Sequence, residues 1–305
     1  MSRTVLPLSL LLAAGALAAE DFTTGPLIGA GKSTPQTASE EQGNTHSWEM
    51  PPIAVDGKAS TVRESQLIGS YGQPRWTARR LFTETRSYVI PEGQIQFEYW
   101  LTVQDAPRNA PDDEEGKIKQ QYEVEMGLPY RFQVDLYQTY EKEPMSDGAN
   151  VLSETKFEVR WAFADWDVIP LNPTAYLEWA VVSEGYDVLE AKLLLCDDIT
   201  ERLRWAANAV YEEETGGSHG RSRELTGGIS YGAIDSKVAV GVETKFAWED
   251  ELVEGQRTTS VQEFLAGPSI QVRPSPRTHI DLAMLFGLTE DSSRSKFNMV
   301  AGWEF

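Results

Sequence analysis

The chain has 305 residues, with 27 Lys and Arg against 47 Asp and Glu and a formal net charge of -20. So acidic a surface repels polyphosphate, which excludes nucleic acid as a partner. A single cysteine, Cys196, excludes an intramolecular disulfide, and three histidines leave little material for a zinc site or a histidine-based catalytic centre. The mean hydropathy of -0.38 and the lack of a long apolar run beyond the first twenty positions argue against a helical membrane protein.

Residues 1–18 read as a secretory signal peptide: Arg3 gives the positive start, Val5 to Leu17 the apolar middle, and Ala16-Leu17-Ala18 the small-residue cleavage site. An uncleaved anchor is the alternative, and the lack of a cysteine at the cleavage site leaves a lipid anchor unsupported. Residues 19–61 are rich in Ser, Thr, Gly, Pro, Gln and Glu, with no apolar period, so they cannot bury enough surface to offset their ordering entropy. They are expected to form a flexible periplasmic leader. Residues 62–93 change character. Across residues 62–86, Arg63, Arg75, Arg79, Arg80 and Arg86 face only Glu64 and Glu84, a local charge of +3 inside an acidic chain. With Trp76 alongside, Arg75, Arg79 and Arg80 mark this basic segment as a candidate plug for an acidic cavity, or as a linker resting on the rim or on anionic lipid.

From Gln94 the side chains alternate. Ile95, Phe97, Tyr99, Leu101 and Val103 are apolar, and the residues between them are mostly polar, the period of a strand with one wet and one apolar face. The same texture predicts strands near residues 120–127, 131–140, 154–163, 173–182, 187–195, 201–212, 223–231, 237–248, 261–273, 278–288 and 296–305. That makes twelve. The links between them are alternately short, as at Leu128-Pro129-Tyr130, and mostly long and acidic, as from Glu249 to Ser260. Strands of about ten residues suit a tilted crossing of the hydrocarbon layer, whereas soluble strands more often run to five or six. Residues 94–305 are therefore predicted to be an all-β domain, a transmembrane antiparallel up-and-down barrel that leaves no edge unpaired in lipid. Tyr140, Trp166, Tyr211, Trp248 and Trp303 are expected to form interfacial girdles. A secreted sandwich shares the alternation and is the more distant alternative.

The final strand places Phe297, Met299, Ala301, Trp303 and Phe305 on one face and ends on Phe305. It resembles the signal read by the barrel assembly machinery of Gram-negative outer membranes. Met126 to Val134 and Phe157 to Tyr176, with Pro170-Leu171-Asn172-Pro173, are similar to a group of barrels named for the MetA pathway of phenol degradation and labelled outer-membrane transporters. That resemblance covers residues from about 86 to 305. It implies outer-membrane lipid and lipopolysaccharide as surroundings and transport of small solutes, and it supplies no functional residues.

With the apolar parity facing lipid, the other parity lines the pore. It carries the acids Glu98, Glu123, Glu125, Asp135, Glu158, Glu178, Glu190, Glu212, Glu224, Glu243, Glu263, Asp281 and Glu304. The bases are Lys156, Arg160, Lys192, Arg202, Arg204, Lys237, Lys245, Arg273 and Lys296, which leaves four negative charges in excess. An open pore so lined prefers cations. Pairing of these charges across strands would instead close it, giving a barrel with a structural or surface-interaction role.

The acidic runs Asp112 to Glu115 and Glu249-Asp250-Glu251 lack the spaced ligands and glycine of a calcium loop and read as solvated surface. His46 lies in the leader, His219 in a glycine-rich loop, and His279 begins a strand as a surface or interfacial residue. No base is thereby fixed beside a nucleophile, so neither enzymatic activity nor a cofactor is expected.

Overall fold

A computed structural model describes residues 63–111, 116–142, 150–258 and 260–305. The expected signal peptide, the leader with His46, and Asp112 to Glu115 lie outside the described residues. Twelve strands form the body of the structure. We number them β1 Ile95–Gln104, β2 Lys117–Leu128, β3 Phe132–Lys142, β4 Val151–Ala162, β5 Thr174–Val182 and β6 Val188–Asp198. There follow β7 Leu203–Glu214, β8 Arg221–Ile234, β9 Val238–Asp250, β10 Val261–Ser275, β11 Thr278–Gly287 and β12 Ser295–Glu304. Each pairs antiparallel with its neighbours in sequence, and β12 returns to β1, with Met299 opposite Leu101 and Trp303 opposite Phe97. The sheet is a closed barrel.

The alternation in the sequence is the alternation of the wall. On β4, Phe157, Val159 and Trp161 point outward and are 48%, 43% and 39% exposed, while Glu158 and Arg160 between them are buried inside at 0% and 3%. A strand cannot turn one parity inward without turning the other out, so an exposed apolar belt and a charged interior are one consequence of the pleat. Tyr211 and Trp303 lie in the outer belt, and Tyr122 packs between Tyr99 and Tyr140 there.

Both ends of the barrel body, Ile95 and Glu304, lie at the end with the short turns, where the link between β4 and β5 is the long exception, and most of the longer links are at the other. One of the longer links carries a small hairpin, Leu252–Val253 with Gln256–Arg257. The strands exceed the expected spans mostly at the loop end: β2 begins at Lys117, β7 continues to Glu214 and β8 begins at Arg221. Backbone pairing continues there although the side chains are charged, because ladder hydrogen bonds do not require an apolar face. At the turn end, Arg202 and Lys237 fall in the links before β7 and β9 and are exposed, rather than lining the interior.

Three further expectations are corrected. Trp166 is not in an interfacial girdle: it is 7% exposed and packs edge-on against Trp76 at 5.9 Å and Tyr88 at 5.4 Å. The eleven-residue link between β4 and β5 is long enough to fold it under the barrel. His279 is fully buried inside the wall, because the parity of β11 turns His279 and Asp281 inward together. Asp250 is not solvated either, since Arg221, Arg223 and Arg257 enclose it.

Candidate functional site

The interior is filled by the chain's own residues 63–94. This segment starts at the turn end with a two-residue ladder, Leu67–Ile68 against Gln73–Pro74, and a single 3-10 turn, Arg75–Ala78. Tyr71 Oη donates to the Leu128 carbonyl at 2.6 Å, and Arg79 pairs with Glu304 at 2.7 Å beside the last strand's end. From there the chain climbs to Thr83 and Glu84. The Thr83 N–H, the Thr83 hydroxyl and the Glu84 N–H all donate to one oxygen of Glu243, at 2.8, 3.0 and 2.9 Å.

At this apex Glu84 accepts from Lys296 at 2.7 Å and from Asn298 at 2.5 Å. The chain then descends. Thr85 meets Thr226 at 3.1 Å, the Arg86 backbone exchanges two 2.8 Å bonds with the Asn208 amide, and the Ile90 N–H donates to Gln133 at 2.7 Å. A re-entrant hairpin of irregular backbone in a membrane barrel must find every polar partner in the wall. Here the Glu243 carboxylate of β9 and neutral side chains of β3, β7, β8, β10 and β12 supply partners.

Apolar packing fixes the same segment. Trp76, Leu81, Phe82, Tyr88 and Val89 are each 5% exposed or less and form one cluster with Ala162, Cys196, Ala206 and Ala239 of the wall. The wall contributes small residues where the segment contributes rings. Gly228 of β8 is the extreme case: a Cβ there would lie 2.3 Å from the Phe82 ring, so only glycine admits that ring.

The register assembles the acids. Glu98 faces Glu123 across β1 and β2, and Glu125, Asp135, Glu158, Glu178, Glu190 and Glu212 face one another in turn across β2 to β7. Like charges directly opposite are destabilising, so this belt demands cations. Two come from the inserted segment. Arg80 reaches Glu98 at 3.0 Å and Glu123 at 3.8 Å, with its guanidinium 3.7 Å from the Trp100 ring centroid. Arg86 reaches Glu123 at 2.6 Å, Glu125 at 2.9 Å and Glu158 at 3.9 Å, and donates to Tyr137 Oη at 2.6 Å.

Arg160 of the wall completes the set on Glu158 and, at 2.8 Å, Asp135. Carboxylate oxygens of Glu98, Glu123 and Glu125, and of Glu123, Asp135 and Glu158, come close enough to hold a cation, and the three guanidiniums supply that charge.

The remaining anticipated residues fall in two places. Near the turn end, Trp76 Nε1 donates to Asp198 at 2.9 Å, Arg204 stands 3.7 Å from the same carboxylate, and Arg273 pairs with Glu64, while Arg75 stays partly exposed. Toward the loop end the pairs are Lys156 with Glu178 at 3.0 Å, Lys192 with Glu190 at 2.8 Å and Lys245 with Glu224 at 2.7 Å. Asp281 holds His279 at 2.5 Å, and Gln96 and Glu98 are its other partners, at 3.3 and 3.5 Å. The dyad is enclosed within the wall, and the partners of His279 are all on β1 and β11. The residues missed by reading charges alone are the neutral ones, Gln96, Gln133, Asn208, Thr226, Gln271 and Asn298. Their inward parity was the signal available.

The void left between segment and wall, bounded by Thr77, Arg80, Arg86, Glu125 and Arg160 among others, is about 10 Å³, at the threshold for a single water. Beyond the apex, a larger cavity of about 420 Å³ opens at the loop end among Thr102, Gln104, Lys119, Lys245 and Lys296.

No family model matches the chain, and no curated protein matches it. Solved structures do. The COG4313 outer membrane channel from Pseudomonas putida F1 aligns with a TM-score of 0.53 at 8% identity, over 74% of this chain and 100% of that one. The NanC porin aligns with a TM-score of 0.51 at 10% identity, over 68% of this chain and 98% of that one. The chain shares the fold of these outer-membrane barrels.

Proposed function

We propose that the protein is a bacterial outer-membrane channel for passive passage of small solutes, held shut by its own residues 62–93 acting as a plug. The observation that carries the reading is Arg80 and Arg86 of the segment bridging Glu98, Glu123, Glu125 and Glu158 of the wall, with almost no free space beside them. A closed wall with an exposed apolar belt suits lipid, and two fold relatives carry channel or porin in their names.

The termini would be periplasmic, with the long loops toward lipopolysaccharide and Phe305 presented to the assembly machinery. Membership of the MetA-pathway group belongs to this same reading. With the segment withdrawn, two arginines leave a belt of carboxylates behind, and the open state would prefer cations weakly. Non-enzymatic passage needs no cofactor and no bound metal.

The test is conductance in planar lipid bilayers under a salt gradient, comparing the full chain with one lacking residues 62–86. The full chain is expected to be nearly silent and the shortened one to give discrete, cation-preferring steps. Silence from both, with heat-modifiable gel mobility intact, would favour the alternative, a closed barrel with a structural or surface-interaction role.

A further inference from the structure

Glu84 is the one carboxylate that the inserted segment carries to its apex, and it is received as a ligand would be. Lys296 Nζ contacts it at 2.7 Å and Asn298 Nδ2 at 2.5 Å. Lys245 adds its charge while paired to Glu224 at 2.7 Å. Burial raises the Glu84 pKa, yet the ammoniums of Lys296 and Lys245 and the bonds to Lys296 and Asn298 bring it down to about 2. The cavity of about 420 Å³ lies on the far side of the same Lys245 and Lys296, at the loop end, and Lys117 and Lys119 also line it, with Asp105 and Glu141 as its two acids.

Register places Lys296 opposite Gln104 of β1, and Gln104 opposite Lys117 of β2. Lys296 and Lys117 therefore stand two strands apart on one line, about 10 Å between backbones at ordinary strand spacing. Both side chains face the cavity, and Lys119 is held by Glu141 at 3.0 Å and Glu154 at 3.5 Å.

We infer that this loop-end cavity is a binding site for a small dicarboxylate, and that Glu84 is its built-in competitor. One carboxylate of the ligand replaces Glu84 on Lys296 and Asn298, and the other reaches Lys117. Since the Glu84 carboxylate tethers the apex beside the bonds of Thr83 and Glu84 to Glu243, the ligand and the seated carboxylate exclude one another, and the apex keeps only the second tether when the ligand binds. The inference rests on the plugged-channel reading for its consequence, though the binding itself is independent of any current.

Succinate is the probe, titrated calorimetrically into the refolded full-length chain in detergent, with heat-modifiable mobility confirming each fold. Glu84→Gln is expected to bind succinate at least tenfold more tightly than the unaltered chain, and Glu84→Gln with Lys296→Gln to lose that gain. Lys117→Gln, at an exposed strand end, is expected to weaken succinate while leaving acetate unchanged. Equal succinate affinity with and without Glu84, or indifference to Lys296, would overturn the site. Conductance of the chain lacking residues 62–86 reports on the channel reading separately, so failure of one is not mistaken for failure of the other.

Discussion

At the scale of the residue, the interior is decided by which carboxylates share a single cation. Arg86 touches Glu123, Glu125 and Glu158 at once, and no other cation of the inserted segment reaches Glu125 or Glu158. Removing one partner of a buried ion pair leaves an uncompensated charge and costs about 3–5 kcal/mol. Arg86→Gln is accordingly expected to lower the midpoint of urea unfolding in detergent, and Arg86→Lys to fall between, since it keeps the charge and loses the fork. Glu84 gives a pH dependence. Its folded pKa of about 2 lies below the ordinary 4.5, so its contribution is complete above 4.5 and fades as pH falls toward 2. The stability difference between the unaltered chain and Glu84→Gln should stay constant from pH 7 to about 5 and shrink below about 4.5, read by urea unfolding at each pH.

At the scale of the element, the strands were legible because lipid and lumen impose opposite demands on successive residues. Ile95 to Val103 and Phe157 to Trp161 show their parity without any structure, and the twelve strands follow from repeating it. The inward acids followed as well. Arg202 and Lys237 share the inward parity but each sits one residue before a strand begins, and parity carries no information about where pairing stops. Trp166 was misplaced for a related reason, whereas His279 shares the parity of Asp281 and was readable as inward. A tryptophan in a link is placed by what lies under the link, and here that is Trp76 and Tyr88, more than seventy residues earlier in the chain.

The basic character of residues 62–86 pointed to the lumen, but its path was not legible. The path depends on small wall residues such as Gly228, and glycine in a strand has several readings in sequence. The same fit yields a prediction about β8. Gly228→Val would put its side chain where the Phe82 ring lies, and overpacking of this kind costs about 1–3 kcal/mol. Because β8 is held by β7 and β9 on both sides, the barrel should persist and the segment should yield. Limited proteolysis is then expected to cut near Phe82 in the variant at least several-fold faster than in the unaltered chain, with heat-modifiable mobility unchanged.

At the scale of the molecule, a wall of paired strands and an inserted segment are two structures of different kind held by different forces. The wall is a continuous ladder with no edge, so opening it anywhere breaks backbone pairing in lipid. The segment runs on into β1 and is otherwise held mainly through side chains, by ion pairs, a ring cluster and single hydrogen bonds, with backbone bonds at the turn end only, between Tyr71 and Trp166 and between Gly127 and both Gly93 and Gln94. It is therefore the part that can move while the barrel stays closed. That asymmetry is testable by tethering the segment without altering its charges. Thr85 and Thr226 face each other with hydroxyls 3.1 Å apart, one on the descending limb and one on β8. Thr85→Cys with Thr226→Cys would link them by a disulfide, and the native Cys196 is buried on the carbonyl of Ser87, which leaves the new pair to react together. If passage requires the segment to leave its seat, the oxidised protein should show no stimulated conductance when the salt concentration is raised to screen the Arg80 and Arg86 pairs, and reduction should restore it. Equal currents before and after reduction would mean that solutes pass with the segment in place, and the wall alone would then set selectivity.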